Sequence, residues 1–353
     1  MKYTKLNRHN KTLLTIVVAI SIAMMFILGS TFPNTAESKL SHLGKSATAT
    51  INRISLNGSI FKGPSNPSIS TGQSSSVTIS SAVKSNDKSN NKVVVLSFDD
   101  NRIGDFTYAK PILDKYGFKA TFFVICGKTT DSGAMNWQDI AAMQKDGMDI
   151  ESHTMTHAHL NHLSATALKF QIGSSKQCLA SHGYNVTTFA YPYNEGSDNA
   201  TVVDIVAKYY NIARSGTQPL MFLDCNGYKK HPETDCRTYT SDGKLTYANR
   251  YAARSLSFDV IEIKDSFENS TIYSAFVNIV NSQSTYNQGG KINAVPLITF
   301  HNVALTTNHP YYTNVGLFDQ LMKYLHDNAF KVLTFKQLGY NTQTNTFYLK
   351  GLE

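Results

Sequence analysis

Val93-Val94-Val95-Leu96-Ser97-Phe98-Asp99-Asp100 is the stretch on which the fold turns. It is a short β-branched and aromatic run that ends abruptly in two carboxylates, the pattern of a buried strand whose polar end meets solvent. Working outward, residues 108–116 read as a helix stopped by Gly117, and residues 120–125 as a second buried strand. Residues 137–145 read as a helix halted at Gly147, residues 148–151 as a third strand, and Ser164 as the cap of a helix reaching about residue 179. Strands at 189–191 and 211–214 flank a helix at 200–209. After an interruption the rhythm resumes with a strand at 258–263, a helix at 270–280, a strand at 295–300, a helix at 317–328 and a strand at 330–334. Strand and helix alternating at this spacing mark parallel βα units, and such repetition predicts an α/β chain wound into a closed or nearly closed barrel.

The chain has 353 residues and a hydrophobic fraction of 41%, enough for a real core. Its formal charge of +8 lies partly at the N-terminus, in Lys2, Lys5, Arg8 and Lys11. These precede an apolar run over residues 13–28, close to the ~18 residues needed to span a bilayer. Residues 1–32 therefore read as a signal peptide or an uncleaved membrane anchor, and residues 33–91, rich in Ser and Asn, as a flexible linker. The folded domain is expected over 92–345, with an insertion near 215–257. Export puts Cys126, Cys178, Cys225 and Cys236 where disulfides persist, and the short polar loop between Cys225 and Cys236 favours that pair. The remaining positive charge is spread along the chain, which argues against a nucleic-acid partner. Through an uncleaved N-terminal segment the membrane is an expected partner.

In a parallel βα architecture chemistry gathers where strands end. Asp99 and Asp100 end the first strand, His153 and His157 follow the third, Tyr191-Pro192-Tyr193 follows another, and His301 ends residues 295–300. One carboxylate and two imidazoles suit a borderline divalent cation that keeps positions open for water and substrate. Imidazoles spaced i, i+4 share a face if their turn is helical. The second carboxylate is then free to act as a base toward water.

Ser97-Phe98-Asp99-Asp100, His153-Thr154-Met155-Thr156-His157, Tyr191-Pro192-Tyr193 and His301 together resemble, in order and chemistry, the motif set of the polysaccharide deacetylases (NodB homology domain, carbohydrate esterase family 4). The resemblance runs from about residue 92 to 340. It implies a distorted (β/α) barrel, often seven-stranded, that hydrolyses the acetamide of an N-acetylhexosamine. It implies Asp99 as general base, Asp100, His153 and His157 as metal triad, the Tyr193 backbone N–H as oxyanion donor, and His301 as the acid for the departing amine. The cofactor expected is a divalent metal, Zn2+ first, with Co2+ or Ni2+ as alternatives. Tyr191 and Pro192 are expected to line the substrate site. Leu297 shares a strand face with Thr299 and His301, which makes it either an acetyl-pocket wall or an ordinary core residue.

The chain also departs from the family pattern. Ala190 stands where many members carry an Arg that steadies the base, so orientation of Asp99 must come from elsewhere. Asn101 and Asn194 replace usual glycines, and the fourth-motif Asp has no clear match. His159 and His162 lie near the metal turn and read as surface or supporting residues. These departures leave two further readings open. One is a non-catalytic metal-containing glycan-binding relative, the other a deacylase acting on a non-sugar amide or ester.

Overall fold

The computed structural model describes residues 91–216, 218–224, 250–259, 269–306 and 311–352. The expected signal or anchor, the linker, Cys225 and Cys236 fall outside the described residues. Among the described residues no helix is long and apolar enough to cross a membrane.

Strand β1 (Val93–Asp99) is the centre of the sheet. It pairs in parallel with β2 (Thr121–Val124) on one side and β8 (Ala294–Phe300) on the other. From β2 the sheet continues in parallel through β3 (Asp149–Ser152), β4 (Thr188–Ala190) and β5 (Ile212–Arg214). The ring closes through the segment from Ala253 to β7 (Leu256–Ser257). Ala253 bridges Arg214 in parallel, with Ser215 N donating to Ala253 O at 2.8 Å, and β7 pairs in parallel with β8. Seven parallel segments thus surround one interior, as expected. Strand β6 (Leu220–Phe222) runs antiparallel to the start of β8, and β11 (Lys331–Leu333) pairs with the start of β1. Both extra strands thicken the end of the barrel opposite the carboxylates.

Period-two alternation decides which side chains enter the barrel. On β1, Val94, Leu96 and Phe98 pack outward against the helices, whereas Val93 and Val95 join Phe123, Ala190, Ile212, Val295 and Leu297 inside. Phe98 stacks on Phe122 at 4.8 Å and Phe300 at 5.5 Å and meets Phe318 edge-on at 5.8 Å. Burying each such ring is worth roughly 2–3 kcal/mol. The interior turns polar as the strands rise: Val95 lies beside Leu297, then Ser97 Oγ meets Thr299 Oγ1 at 2.9 Å, then Asp99 and Arg214. Leu297 is wholly buried one layer below that hydroxyl pair. Of its two expected roles, the core role is the one it fills.

The helices begin and end on recognisable chemistry. After a π-turn at Asp105–Ala109 come α1 (Lys110–Lys115) and then α2 (Trp137–Lys145), which Asn136 and Asp139 start with a capping box. Ser164 caps α3 (Ala165–Lys169) as expected, but a π-turn at Phe170–Ser174 separates it from α4 (Ser175–Ser181). Asn199 caps α5 (Ala200–Tyr209), and α6 (Asn269–Asn281) precedes β8. A short parallel pair, β9 (Val303–Ala304) and β10 (Thr313–Asn314), leads into α7 (Val315–Asp327), capped by Asn314. A terminal hairpin, β12 (Leu338–Asn341) with β13 (Thr346–Leu349), was not read from the sequence and carries the domain past residue 345. Of the strand expected at 258–263 only Phe258 and Asp259 lie among the described residues; pairing with β8 ends at Ser257, and neither residue is in a strand.

Candidate active site and metal centre

The site forms at the carboxyl ends of β1, β3, β4, β5, β7 and β8. Its backbone is strained: six of the nine described non-glycine residues with positive φ are Asp100, Asn101, Thr154, His157, Tyr193 and Asn194. Such conformations persist where surrounding structure fixes them, and they cluster at functional sites. They also explain the two departures from glycine, since Asn is a residue that tolerates the left-handed region. Asn101 adds an anchor of its own, its Oδ1 accepting the Ile125 N–H at 3.1 Å.

The residues after β3 form no helix, so the i, i+4 argument for the histidines does not hold. Instead Thr154 and His157 take φ of 70° and 62°, and the Thr154 hydroxyl accepts the His157 N–H at 2.9 Å. This irregular turn aims both imidazoles at Asp100. Asp100 Oδ1 lies 3.3 Å from His157 Nε2 and 3.7 Å from His153 Nε2. One ligand atom from each residue falls within 4.8 Å of the others. A tetrahedral ion with bonds of about 2.0–2.1 Å separates its ligands by about 3.3 Å. The donor set fits such an ion in other respects too. Asp100 Oδ1 is buried without a hydrogen-bond partner, and His153 Nδ1 donates to Ala190 O at 2.9 Å, which leaves Nε2 with its lone pair toward Asp100. Burial lowers the His153 and His157 imidazoles, the latter to about 3, which favours the neutral form a metal ligand needs. Burial acts to raise Asp100, but the facing imidazoles of His153 and His157 outweigh it and hold the carboxyl below its ordinary value.

Asp99 owes its orientation to a residue that sequence reasoning missed. Arg214 Nη2 donates to Asp99 Oδ2 at 2.5 Å, and Arg214 Nη1 donates to Ser255 Oγ at 2.9 Å. The guanidinium also lies over the Phe123 ring at 5.0 Å. With both groups buried this is an anchored ion pair, and Asp99 Oδ1 is left without a partner. The signal was present, since residues 211–214 read as a strand ending in Arg.

The absent fourth-motif Asp is likewise found. Asp259 Oδ2 accepts the His301 backbone N–H at 2.7 Å and faces His301 Nδ1 at 3.0 Å. Burial works against the imidazolium, but the Asp259 carboxylate overrides it and pushes His301 up to about 9. His301 is therefore a cation at neutral pH, with its Nε2 proton free to be donated. The expectation that the fourth-motif Asp has no clear match is corrected: Asp259, two residues beyond the region 215–257, holds His301.

Tyr193 sits with φ 55° on a short 3-10 turn, Pro192–Asn194, with its ring 52% exposed. That ring meets His157 at 4.4 Å and stacks on His159 at 3.8 Å, while His159 Nδ1 bonds Glu195 at 3.1 Å. His159 thus supports the tyrosine. Tyr191 and Pro192 are buried, and the Tyr191 ring packs edge-on against Phe189 at 5.2 Å. On the opposite rim Tyr311, 45% exposed, lies 4.9 Å from the His301 ring.

Cys126, just after β2, is bonded to Cys178 on α4. This is the complement of the expected Cys225–Cys236 pair. It braces the metal turn, because Cys126 N and Gly127 N donate to Thr154 O at 3.2 Å and Met155 O at 2.9 Å.

Residues 86–211 match the family model described as Polysaccharide deacetylase. The protein YxkH of Bacillus subtilis (strain 168) is 33% identical over 112 residues, 31% of this chain and 40% of that protein. A chitin deacetylase of Arthroderma benhamiae is 33% identical over 128 residues, 35% of this chain and 33% of that one. The chain spans less than half the length of these curated relatives. Among solved structures, a family 4 carbohydrate esterase from Streptomyces lividans in complex with acetate aligns at 16% identity over 74% of this chain and 98% of that one, TM-score 0.45. The peptidoglycan deacetylase PdaC of Bacillus subtilis aligns at 20% identity over 70% and 90%, TM-score 0.42. Residues 86–211 of this chain are therefore similar to the polysaccharide deacetylase family.

Proposed function

We propose that the protein is a metal-dependent hydrolase that removes N-acetyl groups from N-acetylhexosamine units of an extracellular or cell-surface glycan. The observation that carries this reading is the pairing of two oppositely prepared groups beside one metal-ligand triad. Asp99 is a carboxylate with one oxygen held by Arg214 and the other unengaged. His301 is an imidazolium held by Asp259. Asp100, His153 and His157 would hold the divalent ion, Zn2+ in the first instance, which when bound supplies Lewis acidity toward the acetyl carbonyl and acidifies water.

The protein's own groups do the rest. Asp99 accepts the proton of the attacking water through Oδ1, while Arg214 keeps the carboxylate from rotating away. The Tyr193 backbone N–H donates to the oxyanion, an interaction worth a few kcal/mol when preorganised. His301 passes its Nε2 proton to the departing amine, and Asp259 balances the charge of the imidazolium until it leaves. Hydrolysis is complete when acetate and the free amine separate. A binding-only relative would need neither an anchored base nor a raised acid, which favours the catalytic reading.

The exposed faces of Tyr193 and Tyr311 support a sugar substrate, since aromatic rings pack well against pyranose faces. The Cys126–Cys178 disulfide and the N-terminal sequence pattern support a location outside the cytoplasm. The test is acetate release by the purified full-length chain from N-acetylglucosamine oligomers, after EDTA and after Zn2+ or Co2+ addition. Metal-restored acetate release is expected, and Asp99→Asn should abolish it while metal still binds. No acetate from any N-acetylated glycan, with metal bound, overturns the proposal in favour of binding.

A further inference from the structure

Asp105 is wholly buried; its carboxylate oxygens make no hydrogen bond of good geometry, although the Val303 backbone N–H approaches them. It starts the π-turn after the Asp99–Asp100 corner, yet its side chain does not cap that turn. Burying an unsatisfied carboxyl is costly, and the helix it precedes does not require one. The residue before it is equally constrained. A Cβ on Gly104 would lie 2.1 Å from Asn302 Oδ1 and 2.3 Å from Val303 O, so no other side chain fits there. Asn302 and Val303 directly follow His301, and Asn302 Oδ1 is itself buried without a donor. The Asn302 carbonyl is tied by Thr313 N at 2.8 Å to β10 and hence to the start of α7. The loop carrying the base and a metal ligand is therefore packed, without slack, on the loop carrying the acid.

We propose that Gly104, Asp105, Asn302 and Val303 form a latch that fixes His301 relative to the Asp99–Asp100 corner, with Asp105 as a positioning residue of the site. The inference rests on the deacetylase reading above. The charged groups that act on Asp105 are His301, Asp100 and Asp259. Burial, with Asp100 and Asp259 pushing the same way, raises its carboxyl well above the usual range against the pull of His301. Asp105 thus acts through its shape and its approach to the Val303 backbone, and its amide isostere should replace it.

Asp105→Asn, Asp105→Leu and Asn302→Ala would be compared as full-length chains for kcat, KM, Zn2+ affinity and the NMR titration of the His301 imidazole. Asp105→Leu and Asn302→Ala should each lower kcat about tenfold or more, as displacement of a catalytic group does, with KM and Zn2+ affinity little changed. Their His301 titration should move from the wild-type position. Asp105→Asn should restore kcat to within about threefold and leave the basic limb of the pH profile in place. Wild-type kcat in both Asp105→Leu and Asn302→Ala overturns the latch, as does a parallel loss of Zn2+ affinity. A displaced basic limb in Asp105→Asn also overturns it, because charge would then be the operative property. If Asp105→Leu fails to fold, Asn302→Ala and Asp105→Asn carry the same test. If the wild-type chain releases no acetate, the deacetylase reading fails separately, and an unmoved His301 titration in Asn302→Ala overturns the latch by itself.

Discussion

Replacing Asp259 by Asn removes one negative charge from beneath His301 and little else. The amide oxygen of Asn can still accept the His301 backbone N–H that Asp259 accepts at 2.7 Å. The carboxylate outweighs burial and lifts the imidazole from an ordinary 6.5 to about 9. At about 1.4 kcal/mol per pH unit, that gap corresponds to roughly 3 kcal/mol of preference for the imidazolium. Without it, burial remains and the imidazole should titrate near or below its ordinary value. Since the acid form must be present for the amine to leave, wild-type kcat should hold to about pH 9 and fall beyond it. In Asp259→Asn the fall should begin about two and a half units lower, so at about pH 7.5 roughly one molecule in ten keeps its acid, a tenfold loss in kcat. The assay is acetate release against pH, with circular dichroism to confirm folding. Stability follows the same sign. His301 has a raised folded value, so its contribution is complete below about 6.5 and disappears as pH rises through about 9. The melting-temperature difference between wild type and variant should accordingly be largest near pH 6 and vanish by about pH 10. An unchanged basic limb in Asp259→Asn would refute the assignment of His301 as the acid.

Arg214→Met strands the buried Asp99 carboxylate, which should cost about 3–5 kcal/mol in chemical denaturation and most of kcat, while Zn2+ still binds. Asn101→Ala forces alanine into φ 45° and removes the bond to Ile125, a combined loss of about 2 kcal/mol, whereas Asn101→Gly should lose less than half of that. Cys178→Ser opens a crosslink between residues 52 apart and should lower stability by about 2–4 kcal/mol. It should also weaken Zn2+ binding, measured by competition with a chelator, because the Thr154–Met155 strap is released.

Much of this was legible in the sequence because period and position carried it. Alternating residues of β1 and β8 set the inside and outside of the barrel, and chemistry-bearing residues followed wherever apolar runs stopped. The metal triad could be read for the same reason. Arg214 and Asp259 were not, since each acts on a partner more than forty residues distant and is brought to it only by ring closure. Asp259 was further hidden by an apolar neighbourhood that looked like strand interior, whereas pairing with β8 ends two residues earlier. The parity of Tyr191 sends its ring outward to Phe189, which the motif alone does not show. The histidine turn was predicted in composition but not in conformation, as positive φ at Thr154 and His157 leaves no trace in a pattern of residue types.

Ala190 and Arg214 are direct register partners on adjacent parallel strands, and both side chains enter the barrel at one level. Only about 4.8 Å separates such strands, so the space there admits one long side chain and one short one. Where the family pattern the sequence resembles places that cation at position 190, this chain has it one strand over, and the alanine leaves it room. Exchange of the two residues is therefore a coupled event: Ala190→Arg alone crowds two guanidinium groups into one slot, Arg214→Ala alone empties it, and only the double swap preserves volume and charge together. Lineages of this fold should then show the two positions changing as a pair, and a motif pattern that demands arginine on one particular strand will pass over chains that keep it on the next.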